Sequence, residues 1–557
     1  MINSCAVMKN LKYIVFFLLC TSHVLAHATN RGSIADCATP YNTVCTMRHT
    51  IPVLTLKDAN AVLKITAKPA KGGIIEGIVL DLNGTSRLKD ITTITLYRAS
   101  DNGTMNTSMP VASVTNIRKR INIPLHIEVN EGDSLVIWVA LRLVDKVNLT
   151  NRYNINCHSV TVDGKTYSPS TRYKRGLRAG VALRQQKQDG VHTSRIPGIV
   201  ALGKKTLIAV YDARYDSSRD LQGDIDICCQ RSTDGGETWG KMYRVLDMGT
   251  YGNLPEKYNG VSDAAILFDK KTGDVWVAAT WMHGVLDRNT GRWIENLNED
   301  STVWNHQWAS HGSQPGLSIK QTSQIIITKS SDRGLTWSKP MNITSQVKAP
   351  KCWLQTVAPG NGISLRDGTI VFPAQGRDSI GNPFSNLIYS RDGGMTWKAT
   401  RPVGHNTTEC AIVQRNDGTL MLNMRDNSNR NDYSSRNGRR ICVATNLGAI
   451  WKEHHTSHKS LIEPVCMGSL YQHFYNKGKK SVLLFSNPES KKSRTHITLK
   501  SSYDDGETWA GKKILLDELK GAGYSCITSV DQKHIGILYE SSQSDMVFQV
   551  VKLNEIL

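Results

Sequence analysis

Long apolar runs are almost missing from this chain. The longest, "YIVFFLLC" at 13–20, is too short to cross a bilayer as a mature helix, and nothing else in the 557 residues is apolar enough to try. Stable membrane insertion is therefore not expected. Metal-type cysteine pairs are missing too. The 12 cysteines contain no CxxC, and the adjacent Cys228 and Cys229 lie in an apolar stretch, so most read as small buried side chains. Acidic residues are in deficit, 48 against 68 Lys and Arg, for a formal net charge of +20. Basic tracts are nonetheless absent, since the longest clusters are "IRKR" (117–120) and "KGKK" (477–480). That pattern argues against a nucleic-acid partner. It leaves a solvated basic surface or attraction of an anionic substrate as the two readings.

The beginning of the chain looks like an export signal. Lys9 and Lys12 precede the apolar run, and "VLAHA" (24–28) offers small residues for cleavage, so residues 1–28 are expected to be removed. Met8 is an alternative start, and Cys20 a candidate lipid site whose preceding Leu18 and Leu19 are poor for that purpose. In an oxidising compartment Cys37 and Cys45 could close a small disulfide loop. Asn-x-Ser/Thr sequons occur at Asn83, Asn102, Asn106, Asn148, Asn342 and Asn406. The last lies three residues before Glu409, where a glycan would obstruct the site proposed below, which favours a bacterial exported protein.

Helical stripes are lacking from about 30 to 170. Segments such as "GGIIEGIVLDLNG" (72–84) and "LHIEVNEGDSLVIWVALRLV" (125–144) instead alternate apolar and polar residues between turn residues. A small jelly-roll-like β-sandwich over 30–172 is expected, a shape often used for carbohydrate binding, with a purely structural leader as the alternative. The basic, polar segment at 168–180 marks the boundary with a second domain over 180–557.

That second region is periodic. "STDGGETW" (232–239), "SSDRGLTW" (330–337), "SRDGGMTW" (390–397) and "SYDDGETW" (502–509) repeat one Ser-x-Asp-x-Gly-x-Thr-Trp box, and "ATNLGAIW" (444–451) is a degraded copy. Their spacings of 98, 60, 54 and 58 residues suit a four-stranded propeller blade, with an insertion around 281–320 explaining the longest. Six blades are expected. In each box, Gly supplies positive φ, Asp caps nearby N–H groups, and Ser and Thr brace the turn. A calcium loop would need further oxygen ligands at alternating positions, which the boxes lack.

These boxes, together with "SRIPGIV" (194–200), resemble the exo-sialidase family of Asp-box glycoside hydrolases, over roughly residues 185–550. The N-terminal region is similar to accessory domains of secreted bacterial sialidases. The resemblance implies an all-β, six-bladed propeller and a retaining exo-α-sialidase acting on sialylated glycoproteins, glycolipids and oligosaccharides. Trans-sialidase chemistry, inter- or intramolecular, and a non-catalytic sialic-acid lectin are the alternatives. A sialic acid carries a carboxylate on its anomeric carbon, and guanidinium forks suit it. The family's arginine triad maps onto Arg195 in "RIPG", Arg425 in "LNMRDN" and Arg494 in "KKSRTH". A carboxylate nucleophile would be repelled by that substrate charge, whereas a neutral tyrosine is not. Tyr524 in "GAGYSC" matches the nucleophile and Glu409 in "NTTECAIV" its base.

Within "YDARYDSSRDLQGDIDI" (211–227), Arg214 matches a supporting arginine and Asp220 the acid/base, with Asp212, Asp216, Asp224 and Asp226 competing for that role. As an acid, Asp220 is expected to have a raised pKa. Asp263 matches a residue near the sugar's amide and hydroxyls. In the insertion, Trp281, Trp304 and Trp308 could line a mouth for the rest of the glycan or simply pack the insertion down. Neither a metal nor an organic cofactor is implied.

Overall fold

The computed structural model describes residues 43–557. The expected signal segment, Cys20 and Cys37 lie outside the described residues. Cys45 is disulfide-bonded.

The described chain is β-structure almost throughout, with two α-helices, Thr344–Val347 and Leu553–Ile556, of four residues each. In the N-terminal part, a five-stranded sheet runs in the order Thr43–Met47, Asn60–Lys68, Leu135–Leu143, Ile91–Ala99, Met105–Val114. A four-stranded sheet follows the order Lys165–Tyr167, Asn156–Val162, Gly73–Asp81, Arg120–Val129. Alternation supplies the shared core: Leu63, Ile65, Ile78, Leu80, Ile94, Ile123, Val139 and Val160 point inward from both sheets.

Beyond it, six further sheets follow one another. The inner strands of five of them are Thr193–Ala201, Val261–Phe268, Thr407–Gln414, Ser469–Tyr475 and Ser525–Asp531, and in the remaining sheet Ile370–Arg377 approaches the ring. These inner strands contact one another in succession, and Ser525–Asp531 returns to Thr193–Ala201, closing a ring. This is a β-propeller. The last sheet is completed by chain from far upstream: Leu177–Arg184 pairs antiparallel with Met546–Lys552. Val53–Thr55, from within the N-terminal part, then adds in parallel to Leu177–Arg184. With Arg152 and Arg178 also ion-paired to Glu555, at 2.6 and 2.7 Å, the segment at 168–180 is bonded on both sides, and the described residues all belong to one compact unit.

The repeated boxes follow the strands Ile225–Ser232, Gln324–Ser330, Pro383–Ser390 and Ile497–Ser502. Each closes the same network. In the first, Ser232 Oγ donates to Asp234 Oδ1 at 2.9 Å and accepts from Gly236 N at 2.9 Å. Asp234 in turn accepts from Thr238 N at 2.9 Å and Thr238 Oγ1 at 2.7 Å. The carboxylate oxygens are occupied by their own turn, as turn staples rather than metal ligands would be.

The box glycine does something the repeat alone did not reveal. A Cβ on Gly236 would meet the Phe548 ring at 2.0 Å, on Gly334 the Ile208 side chain at 2.3 Å, and on Gly394 the Trp276 ring at 2.2 Å. Each of those neighbours belongs to the preceding sheet around the ring. The box therefore clamps one blade against the previous one, and glycine is required because the approach is so close.

Candidate active site

Three inner strands are interrupted at the residues expected to carry chemistry. The pairing slips between Arg195 and Gly198, between Ser262 and Ala265, and between Thr407 and Cys410. A bulge re-aims a side chain out of strict alternation. Ile196 (φ 63°) and Asp263 (φ 61°) occupy the left-handed region inside two of these bulges, and Asn406 (φ 58°) sits just before the third. Strain of this kind persists where the surroundings impose it.

At the centre of the arrangement stands Tyr524, 6% exposed. Its hydroxyl donates to Glu409 Oε1 and accepts from Arg425 Nη1 at 3.1 Å. Arg425 also holds Glu409 Oε2 at 2.5 Å. The guanidinium carbons of Arg195 and Arg494 lie 5.7 and 5.4 Å from the centre of the same ring. All three expected arginines thus converge on one phenol. Arg494 reaches it by running past Gly523 (φ +95°), where a Cβ would come within 2.9 Å of the arginine's own Cβ, and it is tied to Ala522 O at 2.8 Å. Burial and the negative charge of Glu409 push the phenol well above its ordinary 10.0, against the pull of Arg425 and Arg494. Tyr524 is neutral in this setting.

Asp220 accepts from Arg214 Nη1 at 2.7 Å through Oδ1, and its Oδ2 lies 3.2 Å from His306 Nε2. Arg214 is itself buried on Asp212, at 2.9 Å. Asp212 further accepts from Ser262 Oγ at 2.7 Å and Asp263 N at 3.0 Å, so this competitor for the acid role is a fully enclosed brace. The raised pKa expected of Asp220 is not what the structure provides. Burial does push it up, but the hydrogen bond from His306, then the charge and hydrogen bond of Arg214 and the charge of Arg195, outweigh burial and hold the carboxyl well below its usual range. Asp263 is raised well above its usual range: burial, then repulsion by Asp212, Asp220 and Glu409, favours its neutral, hydrogen-bond-donating form; burial also raises Asp212. Asp224 and Asp226 are likewise pushed up, to about 6 and about 8, chiefly by burial. They belong to a separate cluster with Arg244, Asp247 and Glu256, away from Tyr524.

The tryptophans divide. Trp281 ends the strand Val275–Trp281, is 3% exposed, and packs in a core with Val210, Ile227 and Val277, so of its two readings its burial fits packing rather than contact with a glycan. Trp304 is half-buried beneath Arg219, 4.7 Å from the guanidinium carbon, and edge-on to His306. Trp308, also half-buried, gives its backbone N–H to His306 Nδ1 at 3.1 Å. Both belong to the segment 282–323, which contributes no strand to any sheet.

Sequence reasoning missed Glu540. Its Oε1 accepts from Arg195 Nε at 2.6 Å and Ile196 N at 2.9 Å, and its Oε2 from Tyr524 N at 2.9 Å. One buried carboxylate thereby fixes an arginine of the triad to the tyrosine. Its signal was an acid closing the apolar run "IGILY" (535–539), where a sixth core residue would be expected.

Similarity to known proteins extends over most of the chain. The BNR repeat-like domain matches residues 196–540. A sialidase of Bacteroides fragilis (strain YCH46) is 37% identical over 559 residues, covering 94% of this chain and 97% of that protein. A sialidase of Micromonospora viridifaciens is 30% identical over 369 residues, covering 63% of this chain and 50% of its own. Among solved structures, the Hadza microbial sialidase Hz136 superposes with a TM-score of 0.83 at 33% identity, covering 92% of this chain and 100% of that one.

Proposed function

The chain belongs to the sialidase family, and on that premise we propose that it is a retaining exo-α-sialidase that releases terminal sialic acids from sialylated glycans through a covalent sialyl-tyrosine intermediate. The observation that carries the reading is the convergence of Arg195, Arg425 and Arg494 on Tyr524, whose hydroxyl is bonded to Glu409. Three cations around one neutral nucleophile are suited to a substrate whose reacting carbon bears a carboxylate.

The contacts support the following steps. The triad clamps the substrate carboxylate and brings the anomeric carbon to the phenolic oxygen. Tyr524 attacks as its proton passes to Glu409. The bond to the leaving oxygen breaks, and that oxygen takes its electron pair together with a proton from Asp220. Water then attacks the sialyl-tyrosine, giving its proton to Asp220 while Glu409 returns one to the departing phenolate. Two displacements at one carbon retain its configuration.

Asp220 has to acquire its proton for the first step. In the free site Arg214, Arg195 and His306 oppose this. The arriving carboxylate neutralises the triad and the sugar ring excludes water from a side chain that is 43% exposed, and both changes raise the Asp220 pKa. Neutral Asp263 is suited to donate a hydrogen bond to the sugar, and half-buried Trp304 and Trp308 to meet the rest of the glycan. An exported enzyme fits the disulfide at Cys45.

Tyr524→Phe tests the nucleophile. It keeps the ring that Arg195 and Arg494 cover and removes only the hydroxyl. Turnover of an aryl sialoside is expected to fall by about three orders of magnitude or more with the melting temperature retained. Wild-type turnover would refute the assignment.

A further inference from the structure

Asp220 sits on a loop without regular structure, between the strands Leu207–Arg214 and Ile225–Ser232, yet its carboxylate is held from two sides. One side is Arg214. The other comes from the insertion, and the contacts there are built rather than incidental. Gln307 N donates to Leu221 O at 3.1 Å, so a backbone hydrogen bond joins the residues immediately following His306 and Asp220. Next along the loop, the Gln222 amide donates to Met282 O at 2.8 Å and Gly284 O at 2.9 Å. Leu221 packs with Ile225 and Met282 in a small buried cluster. The acid loop just after Asp220 is thus bonded to the insertion at two places, beside His306 and near the insertion's start.

The ring of His306 is oriented as well as placed. Its Nδ1 accepts the Trp308 backbone N–H at 3.1 Å, and a ring nitrogen that accepts cannot also carry a proton. The neutral ring then bears its hydrogen on Nε2, facing Asp220 Oδ2 at 3.2 Å. Trp304 stands edge-on to the imidazole, ring centres 6.0 Å apart, and limits its swing. We infer that His306 is a positioning residue for the acid/base carboxylate: through a tautomer set by the Trp308 amide, it aims Asp220 and sets the pH range over which Asp220 carries its proton.

This rests on the reading of Asp220 as acid and base. The chemical consequence is specific. With Arg214 on Oδ1 and His306 on Oδ2, both oxygens accept, which is the arrangement of an ionised carboxylate ready to take a proton from water. To hold a proton on Oδ2, Asp220 must give up the His306 bond or reverse it, so the strength of that bond is set against protonation. The other charged or titratable groups acting on Asp220 are Arg214 and Arg195, which favour its charge, and Asp263, with which it interacts repulsively. The neighbouring Arg219 lies over Trp304. A change at His306 leaves these four in place.

Leaving-group dependence separates positioning from scaffolding. An alkoxide leaving from sialyllactose needs a proton from Asp220, whereas the phenolate of an aryl sialoside departs with little help. On His306→Ala, kcat/KM for sialyllactose is expected to fall by about tenfold to a hundredfold and that for the aryl sialoside by no more than about threefold. The limb of the kcat/KM profile that reports Asp220 in the free enzyme should move to higher pH, because a donor to the carboxylate has been removed. His306→Gln, whose amide can still donate, should recover most of both effects. The ratio of the two substrates, measured on one preparation, is independent of how much of the variant folds. Equal losses on both substrates with an unmoved pH limb would overturn the inference. Asp220→Asn is the reference: if it too shows no leaving-group dependence, the acid/base reading itself fails; if it does and His306→Ala does not, only the role of His306 is lost.

Discussion

Replacing Glu540 by glutamine changes one atom and should damage both the fold and the site. Every partner of this carboxylate is a donor: Arg195 Nε and Ile196 N on one oxygen, Tyr524 N on the other. A glutamine offers one accepting oxygen and one NH₂, so either rotamer sets an N–H against an N–H. The replacement also strands Arg195 opposite a side chain that is 1% exposed. Breaking a buried ion pair from one side costs about 3–5 kcal/mol. Unfolding entropy of roughly 2.1 cal/mol/K per residue amounts, over 557 residues, to about 1 kcal/mol per degree. Glu540→Gln should therefore lower Tm by about 3–5 °C at pH 7. Burial raises the Glu540 pKa, but Arg195 and the two amides bring it below 4.5. A depressed carboxylate stabilises fully above its unfolded value and loses that contribution as pH falls through the folded one. The gap between wild type and variant should accordingly shrink on acidification below about 4.5. Since Arg195 loses its tether, KM for sialyllactose should rise by about tenfold or more. Differential scanning calorimetry across pH 4–8, with initial rates, reads all of this. A variant with unchanged Tm and KM would refute the reasoning from saturated acceptors.

Two further outcomes are expected. Gly394→Ala places a methyl 2.2 Å from the Trp276 ring at φ 88°, and should cost roughly 2–4 kcal/mol; Gly393→Ala, at φ 71° with open space around it, should cost only about 1–2, so equal melting of the two would deny the blade clamp. Asp263→Asn replaces a carboxyl that burial keeps protonated. Above its unfolded value of 3.8 the wild type is penalised on folding by up to about 1.4 kcal/mol per pH unit, until the folded value is reached. The variant's Tm relative to wild type should therefore climb from pH 4 to pH 8, and a flat difference would show Asp263 to be ionised in the fold.

Much of the frame was legible because it is local. A box that caps its own turn needs only its eight residues, so its chemistry could be read off "STDGGETW" and found again in the hydrogen bonds of Asp234. Alternation likewise announced the strands. The site residues were legible through their family motifs, and Arg195, Arg425, Arg494, Glu409 and Tyr524 do meet. Less legible was whatever depends on burial. Trp281 and Trp304 look alike in a Trp-rich insertion, yet one is core and the other half-open. The boundary at 168–180 looked like a joint because it is polar, whereas Val53–Thr55 reaches across it to extend the last sheet. A parallel pairing between residues more than a hundred positions apart leaves no local pattern.

The sequence by itself determined the β class and the repeating blade, because both follow from residue type and spacing, and its resemblance to a family pointed to a tyrosine, three arginines and the kind of substrate they suit. Only the tertiary structure decided the charge states and their keepers. Asp220 is held ionised by the insertion's His306 and by two arginines of its own sheet, and Asp263 neutral by burial and by acids of other sheets. Glu540 gains its role from partners more than three hundred residues away at Arg195 and sixteen away at Tyr524. A carboxylate's proton affinity depends on the dielectric and the charges within a few ångströms, and in a closed ring of sheets those neighbours are set by which strands meet at the axis, not by which residues are adjacent in the chain.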